Sequence, residues 1–84
     1  MPLFLDVHEG MPEGATFDDV VGAHAADVAI QDRYGVRYLR YWVDEQDRKV
    51  FCLVEAPDAE TASTVHREAH GLVAERIHEV REGS

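Results

Sequence analysis

The sequence predicts an α+β domain ordered β-α-β-β-α-β, and three observations predict it. Two stretches carry the 3.6-residue apolar period of a helix behind recognisable caps. Short runs rich in β-branched and aromatic residues lie before, between and after them. The two central runs are joined by the wholly polar segment Asp44–Lys49, the pattern of a hairpin.

Taken in order, Leu3–His8 reads as a short strand, followed by a loop marked by Gly10, Pro12 and Gly14. Thr16 opens the first helix, its hydroxyl placed to cap the amide of Asp19 and Asp19 to answer as the acidic half of a capping box. Phe17, Val20, Val21, His24, Val28 and Gln31 follow the helical period, and Gly35 is the stop, so the helix is expected over about residues 17–33. Val36–Val43 and Val50–Glu55 form the hairpin. Asp58, after Pro57, caps a second helix whose inward stripe is Ala62, Val65, Ala69 and His66, and Gly71 ends it. Glu75–Arg81 makes a last, charged strand near a sheet edge. This order is the split βαβ, or ferredoxin-like, arrangement: an antiparallel four-stranded sheet with both helices on one face. At 84 residues the chain has room for one such domain, 1–84.

Seventeen acidic against eight basic residues give a net charge of −9. No basic stripe exists for nucleic acid or an anionic membrane surface, whereas a cationic ligand is favoured. No apolar run approaches the ~20 residues that span a bilayer. The lone Cys52 has no internal disulfide partner, and no CxxC pair exists for a thiolate zinc site. The start Met-Pro-Leu-Phe-Leu-Asp lacks a basic export region, so a reduced, cytoplasmic setting is expected.

Strand alternation sorts the sheet into two faces. Leu3, Leu5 and Val7, Leu39, Tyr41 and Val43, and, if Val43 pairs with Val50, also Val50, Cys52 and Val54 are expected beneath the helices. Phe4, Asp6 and His8, Tyr38, Arg40 and Trp42, and Phe51, Leu53 and Glu55 are expected on the open face. Phe4, Tyr38, Trp42, Phe51 and Leu53 are more apolar surface than a monomer leaves bare. The open face is therefore expected to meet a second copy, giving a homodimer of the dimeric α+β barrel type.

Five histidines are many for this length. His66 and His70 stand four apart on one helix, the spacing at which two neutral imidazoles reach one metal ion; surface or packing roles are the alternative. His24 lies on the inward face of the first helix, either as a core histidine or, with the helices side by side, near His66. His8, with Asp6, Arg40, Trp42 and Glu55, forms a second constellation on the open face, read as an acid/base pair, a metal site or an interface ion-pair network. His78 is expected to face solvent and Cys52 to sit in the core.

The segments Ala23-His24, Gln31, Tyr34-Gly35-Val36, Trp42, Phe51-Cys52-Leu53, Glu55-Ala56-Pro57-Asp58 and Val65-His66-Arg67-Glu68-Ala69-His70-Gly71 fall in one order. Together they resemble a family of small, largely actinobacterial nickel-binding proteins, first classed as a domain of unknown function, from about Phe4 to Val80. The resemblance implies a ferredoxin-like homodimer binding nickel, with several ions per dimer near its surface, and no known reaction. Carried over by motif, the ligands are His66 and His70, then His24, then His8. The resulting expectation is a small cytoplasmic metal-binding protein, for nickel or other divalent transition metals, in buffering, sequestration or sensing. Its binding should weaken as pH falls through ~6.5, the ordinary histidine value. The alternative is a barrel enzyme or small-ligand or haem binder using Asp6, His8, Arg40, Trp42 and Glu55.

Overall fold

A computed structural model describes all residues, Met1–Ser84, and gives the expected order. The elements are β1 (Leu3–His8), α1 (Phe17–Ile30), a 3-10 turn (Gln31–Tyr34), β2 (Arg37–Asp44), β3 (Lys49–Glu55), α2 (Ala59–Ala69) and β4 (Arg76–Val80). The strands lie in the order β2-β3-β1-β4, every neighbouring pair antiparallel, with β2 and β4 at the edges. This is the ferredoxin-like α+β fold.

Local chemistry sets the helix boundaries. Thr16 accepts from the amide of Asp19 while the Asp19 carboxylate accepts from the amide of Thr16, a reciprocal capping box. Asp58 accepts from both the amide and the hydroxyl of Thr61 at the start of α2. α1 is shorter than its period suggests. Regular helix stops at Ile30 and tightens into the 3-10 turn, which Gly35 closes in the left-handed region at φ 65°.

The two faces of the sheet correct the alternation argument. Val43 does pair with Val50, and Val50, Cys52 and Val54 are buried beneath the helices as expected. In β2 the register slips between Tyr38 and Arg40. Leu39 is the extra residue of a bulge, so Tyr38 and Tyr41 both point toward the helices while Leu39 turns to the open face. β1 is inverted throughout. Phe4 and Asp6 are buried and His8 points inward, whereas Leu3 and Leu5 line the open face. The cross-strand pairs Phe4↔Val54, Asp6↔Cys52 and His8↔Val50 fix that assignment. The proposed open-face constellation therefore does not assemble. Asp6 and His8 lie under the helices, while Glu55 pairs with Arg37 at 3.5 Å.

The core is thin: nine apolar residues, centred on Val36, Val54, Ala56, Ala62 and Val65, are fully buried. α2 contributes Ala62, Val65 and His66, as its stripe predicts. On α1 the inward stripe runs through Val20, His24, Asp27 and Ile30, and Asp27 is its only fully buried member. Phe17, Val21 and Val28, expected to face inward, are each more than two-fifths exposed. Three polar side chains, Asp6, Asp27 and His66, are thus as buried as the core itself. A domain this small does not bury charge without arranging partners for it.

Candidate metal centre

The buried charge is one network. α2 hangs His66 over the sheet, and β1 and α1 each bring a carboxylate to it. His66 Nε2 lies 2.9 Å from Asp6 Oδ2 and Nδ1 lies 3.0 Å from Asp27 Oδ1. Carboxylates accept, so both ring nitrogens donate and the ring is an imidazolium. Burial alone would push its proton off, but the hydrogen bonds to Asp27 and Asp6 and the attraction of both charges raise it from the ordinary value to about 9. Burial likewise works against the Asp6 anion. The hydrogen bond from His66, with the attraction of the His66 charge and of the nearby His8, overrides it and holds Asp6 down to about 2. Asp27 is lowered too, its burial outweighed by His66 and His70.

Tyr38 completes the frame. Its hydroxyl lies 3.0 Å from the carbonyl of Ala62 and 3.2 Å from Asp6 Oδ2, and its ring lies against His66 with centroids 4.4 Å apart. One hydroxyl proton serves one acceptor at a time, so Tyr38 ties α2 to the sheet while shielding Asp6. Replacing it with phenylalanine should cost about 1–2 kcal/mol, since the Ala62 carbonyl loses a buried donor. A chemical melt of the Tyr38→Phe variant checks this, and an unchanged midpoint would remove Tyr38 from the frame.

His70, one turn beyond His66, closes the arrangement. Its Nδ1 accepts the amide N–H of Leu72 at 3.1 Å, which assigns the ring proton to Nε2. Nε2 lies 3.2 Å from Asp27 Oδ1 and 3.1 Å from His66 Nδ1. Asp27 Oδ1, His66 Nδ1 and His70 Nε2 therefore form a nearly equilateral triangle with edges of 3.0, 3.1 and 3.2 Å. Protons serve such a triangle poorly, because His66 Nδ1–H donates to Asp27 Oδ1 and His70 Nε2–H turns to Asp27 Oδ2 at 3.3 Å, with the two nitrogens left in contact. Three donors each ~2.1 Å from one first-row divalent ion, at nearly right angles, would lie roughly 3.0 Å apart.

The triangle opens into a cavity of about 510 Å³ between α1, the loop after β1 and the loop after α2. His8, His24, His66 and His70 all line it, so the four histidines singled out in the sequence share one space. Their roles differ. His66 and His70 belong to the triangle. His24 lies on the wall, its ring tilted against that of Tyr41 with centroids 4.7 Å apart, outside any close donor group. His8 approaches from the Asp6 side, its Nε2 3.4 Å from Asp6 Oδ1. His78 is exposed on β4.

The chain matches, over residues 4–80, the family described as nickel responsive protein SCO4226-like. It belongs to that family. The crystal structure of SCO4226 from Streptomyces coelicolor A3(2) superposes with a TM-score of 0.88 at 39% identity, covering 98% of this chain and 99% of that one. No curated protein matches the chain. As a member of the SCO4226-like family the chain must be asked whether its residues suit nickel. Two imidazoles and a carboxylate are good donors for a borderline divalent ion of that row. A buried acceptor, Asp6 Oδ1, is left with no hydrogen-bond partner beside them. The donor set fits.

Asp27 is the candidate donor that helical periodicity alone does not single out. A signal was there, since Asp27 stands three after His24 and four before Gln31, on the face already assigned inward. An acid in an apolar stripe reads as a break in the stripe, whereas here it is the most buried residue of the helix.

Proposed function

We propose that the protein is a small cytoplasmic homodimer that binds nickel, in buffering, sequestration or sensing, and that Asp27, His66 and His70 are the ligands within the chain. The observation that carries this reading is the triangle of donors with 3.0–3.2 Å edges at one end of an open cavity. The family description supports nickel as the metal. Affinity alone would favour copper at the same donors, so selectivity rests on geometry and supply. His24 and His8, the other histidines expected as ligands, line the same cavity outside the triangle.

Calorimetric titration of tag-free protein with nickel, and separately zinc and copper, tests the reading beside the His70→Ala variant. Losing a direct ligand should weaken nickel binding by more than the ~10–100-fold typical of losing an outer-shell partner. The fold should hold, because His70 is the least buried of the three. Nickel binding of equal strength in both proteins would sink the assignment. The cavity also has room for a small organic molecule. The small-ligand alternative therefore moves from the open face to this space, and it predicts binding that survives loss of His70.

The homodimer reading rests on the open face, which is more apolar than the sequence suggests. Leu3, Leu5, Leu39, Trp42 and Leu53 line one groove there, and Trp42 is half exposed. Light scattering should give about twice the 9.5 kDa chain mass, and Trp42→Glu should return the monomer. A monomeric parent protein would rule the dimer out.

A further inference from the structure

We propose that His66 bridges two metal positions, the second held by Asp6, His8 and Cys52. This rests on the reading of Asp27, His66 and His70 as the first position. The two nitrogens of the His66 ring face different donor sets. Nδ1 belongs to the Asp27–His70 triangle, while Nε2 looks the other way, 2.9 Å from Asp6 Oδ2. Around that second nitrogen, donor atoms of Asp6, His8, Cys52 and His66 lie within 4.8 Å of one another.

The fold places them there. Asp6 and Cys52 are a cross-strand pair whose side chains rise on one face, and His8 is the next residue of β1 on that face. α2 lays His66 across them.

An independent observation marks the spot as built for something absent from the chain. Asp6 is 1% exposed, and its Oδ1 is the one buried side-chain polar atom with no hydrogen-bond partner. His8 Nε2 stands 3.4 Å from it, outside hydrogen-bond geometry. An unpaired buried carboxylate oxygen is costly, and a cation satisfies it. His8, Cys52 and His66 all line the cavity, so the position is reached from the same opening as the first.

The donors name the class of ion. Oxygen, nitrogen and sulfur together suit nickel, cobalt, zinc or copper and not magnesium or calcium. The charges also close. Loading both positions sends the two His66 ring protons and the Cys52 thiol proton to solvent, while the His70 ring proton moves from Nε2 to Nδ1, which gives up the amide N–H of Leu72. The four anionic donors that result are two carboxylates, one thiolate and one imidazolate, and they neutralise two divalent ions.

The test uses the full chain with cobalt or nickel alone. Cys52 is the one cysteine, so a thiolate-to-metal charge-transfer band has a single possible source, and ions bound elsewhere on the surface do not produce it. The band should appear in the parent protein, vanish in Cys52→Ser and persist in His70→Ala. Should Cys52→Ser fail to fold, His8→Ala serves, and the metal concentration needed to raise the band should increase at least tenfold. Copper loading gives a second readout, because two ions coupled through one imidazolate show less paramagnetic signal than the copper present. His70-dependent nickel binding without a thiolate band would overturn the bridge and leave the first position standing. No nickel binding and no band would remove both.

Discussion

Replacing His66 by alanine should bring the metal-free protein close to unfolding at neutral pH. His66 is 2% exposed and is the shared partner of two carboxylates that are equally buried. Removing it leaves a cavity and, more seriously, leaves Asp6 and Asp27 facing one another without a cation. Removing one member of a buried ion pair typically costs 3–5 kcal/mol. A domain of this length holds only ~4–12 kcal/mol in total. The expected fall in melting temperature is about 12–40 °C, since each kcal/mol is worth about 4–8 °C at this size. Acid distinguishes charge from packing. Near pH 5 the variant can protonate one stranded carboxylate, so its deficit relative to the parent should narrow. Melts followed by circular dichroism at pH 5 and pH 7.5 measure both quantities. A fall below ~5 °C, or an equal deficit at the two pH values, would show that His66 is held by packing and not by the two acids.

That dependence explains what was legible in the sequence and what was not. Helix starts were legible because they are local: Thr16 with Asp19, and Asp58 with Thr61, satisfy their amides within one turn. The hairpin was legible because Val43 and Val50 flank a polar turn. The faces of β1 were not. Alternation assigns the apolar set Leu3, Leu5 and Val7 to the core, and every local preference agrees with it. What reverses the strand is non-local: His66, sixty residues later, makes the interior a place where Asp6 belongs. The same holds in β2, where one extra residue at Leu39 changes the parity of what precedes it, and nothing in Val-Arg-Tyr-Leu-Arg-Tyr announces a bulge. His66 and His70 were legible as a pair because helical spacing is local, whereas Asp27 meets them only once α1 packs beside α2. Where the sequence departs from the simplest rule, burying acids and exposing leucines, it marks the candidate site on one face and a bare apolar surface on the other.

The same network sets how the protein should respond to pH, and the midpoint differs from that of an ordinary histidine. In the metal-free fold the His66 proton is held to about 9, against ~6.5 in the unfolded chain. A group raised on folding lends its stability fully below the unfolded value and loses it as pH climbs through the folded one. Asp6 runs the other way, lowered to about 2 from 3.8, so its contribution is present above pH ~4 and lost as pH falls toward 2. Stability of the metal-free protein should therefore be greatest between about pH 4 and 6.5. It should fall from there to about pH 9 by roughly 3 kcal/mol, at about 1.4 kcal/mol per tenfold change in proton affinity. Nickel should show the opposite trend over the same range. A ring nitrogen binds metal only after losing its proton, so affinity should keep rising to about pH 9 instead of levelling off above the ordinary value of ~6.5. Melting curves with and without nickel at pH 6, 7, 8 and 9 test both halves. The metal-free curve should decline while the gap between the two widens. A gap already complete by pH 7 would mean that the ions bind ordinary surface imidazoles and leave the His66 proton in place. A widening gap would mean that loading the centre requires nickel to displace the proton that holds the empty fold together.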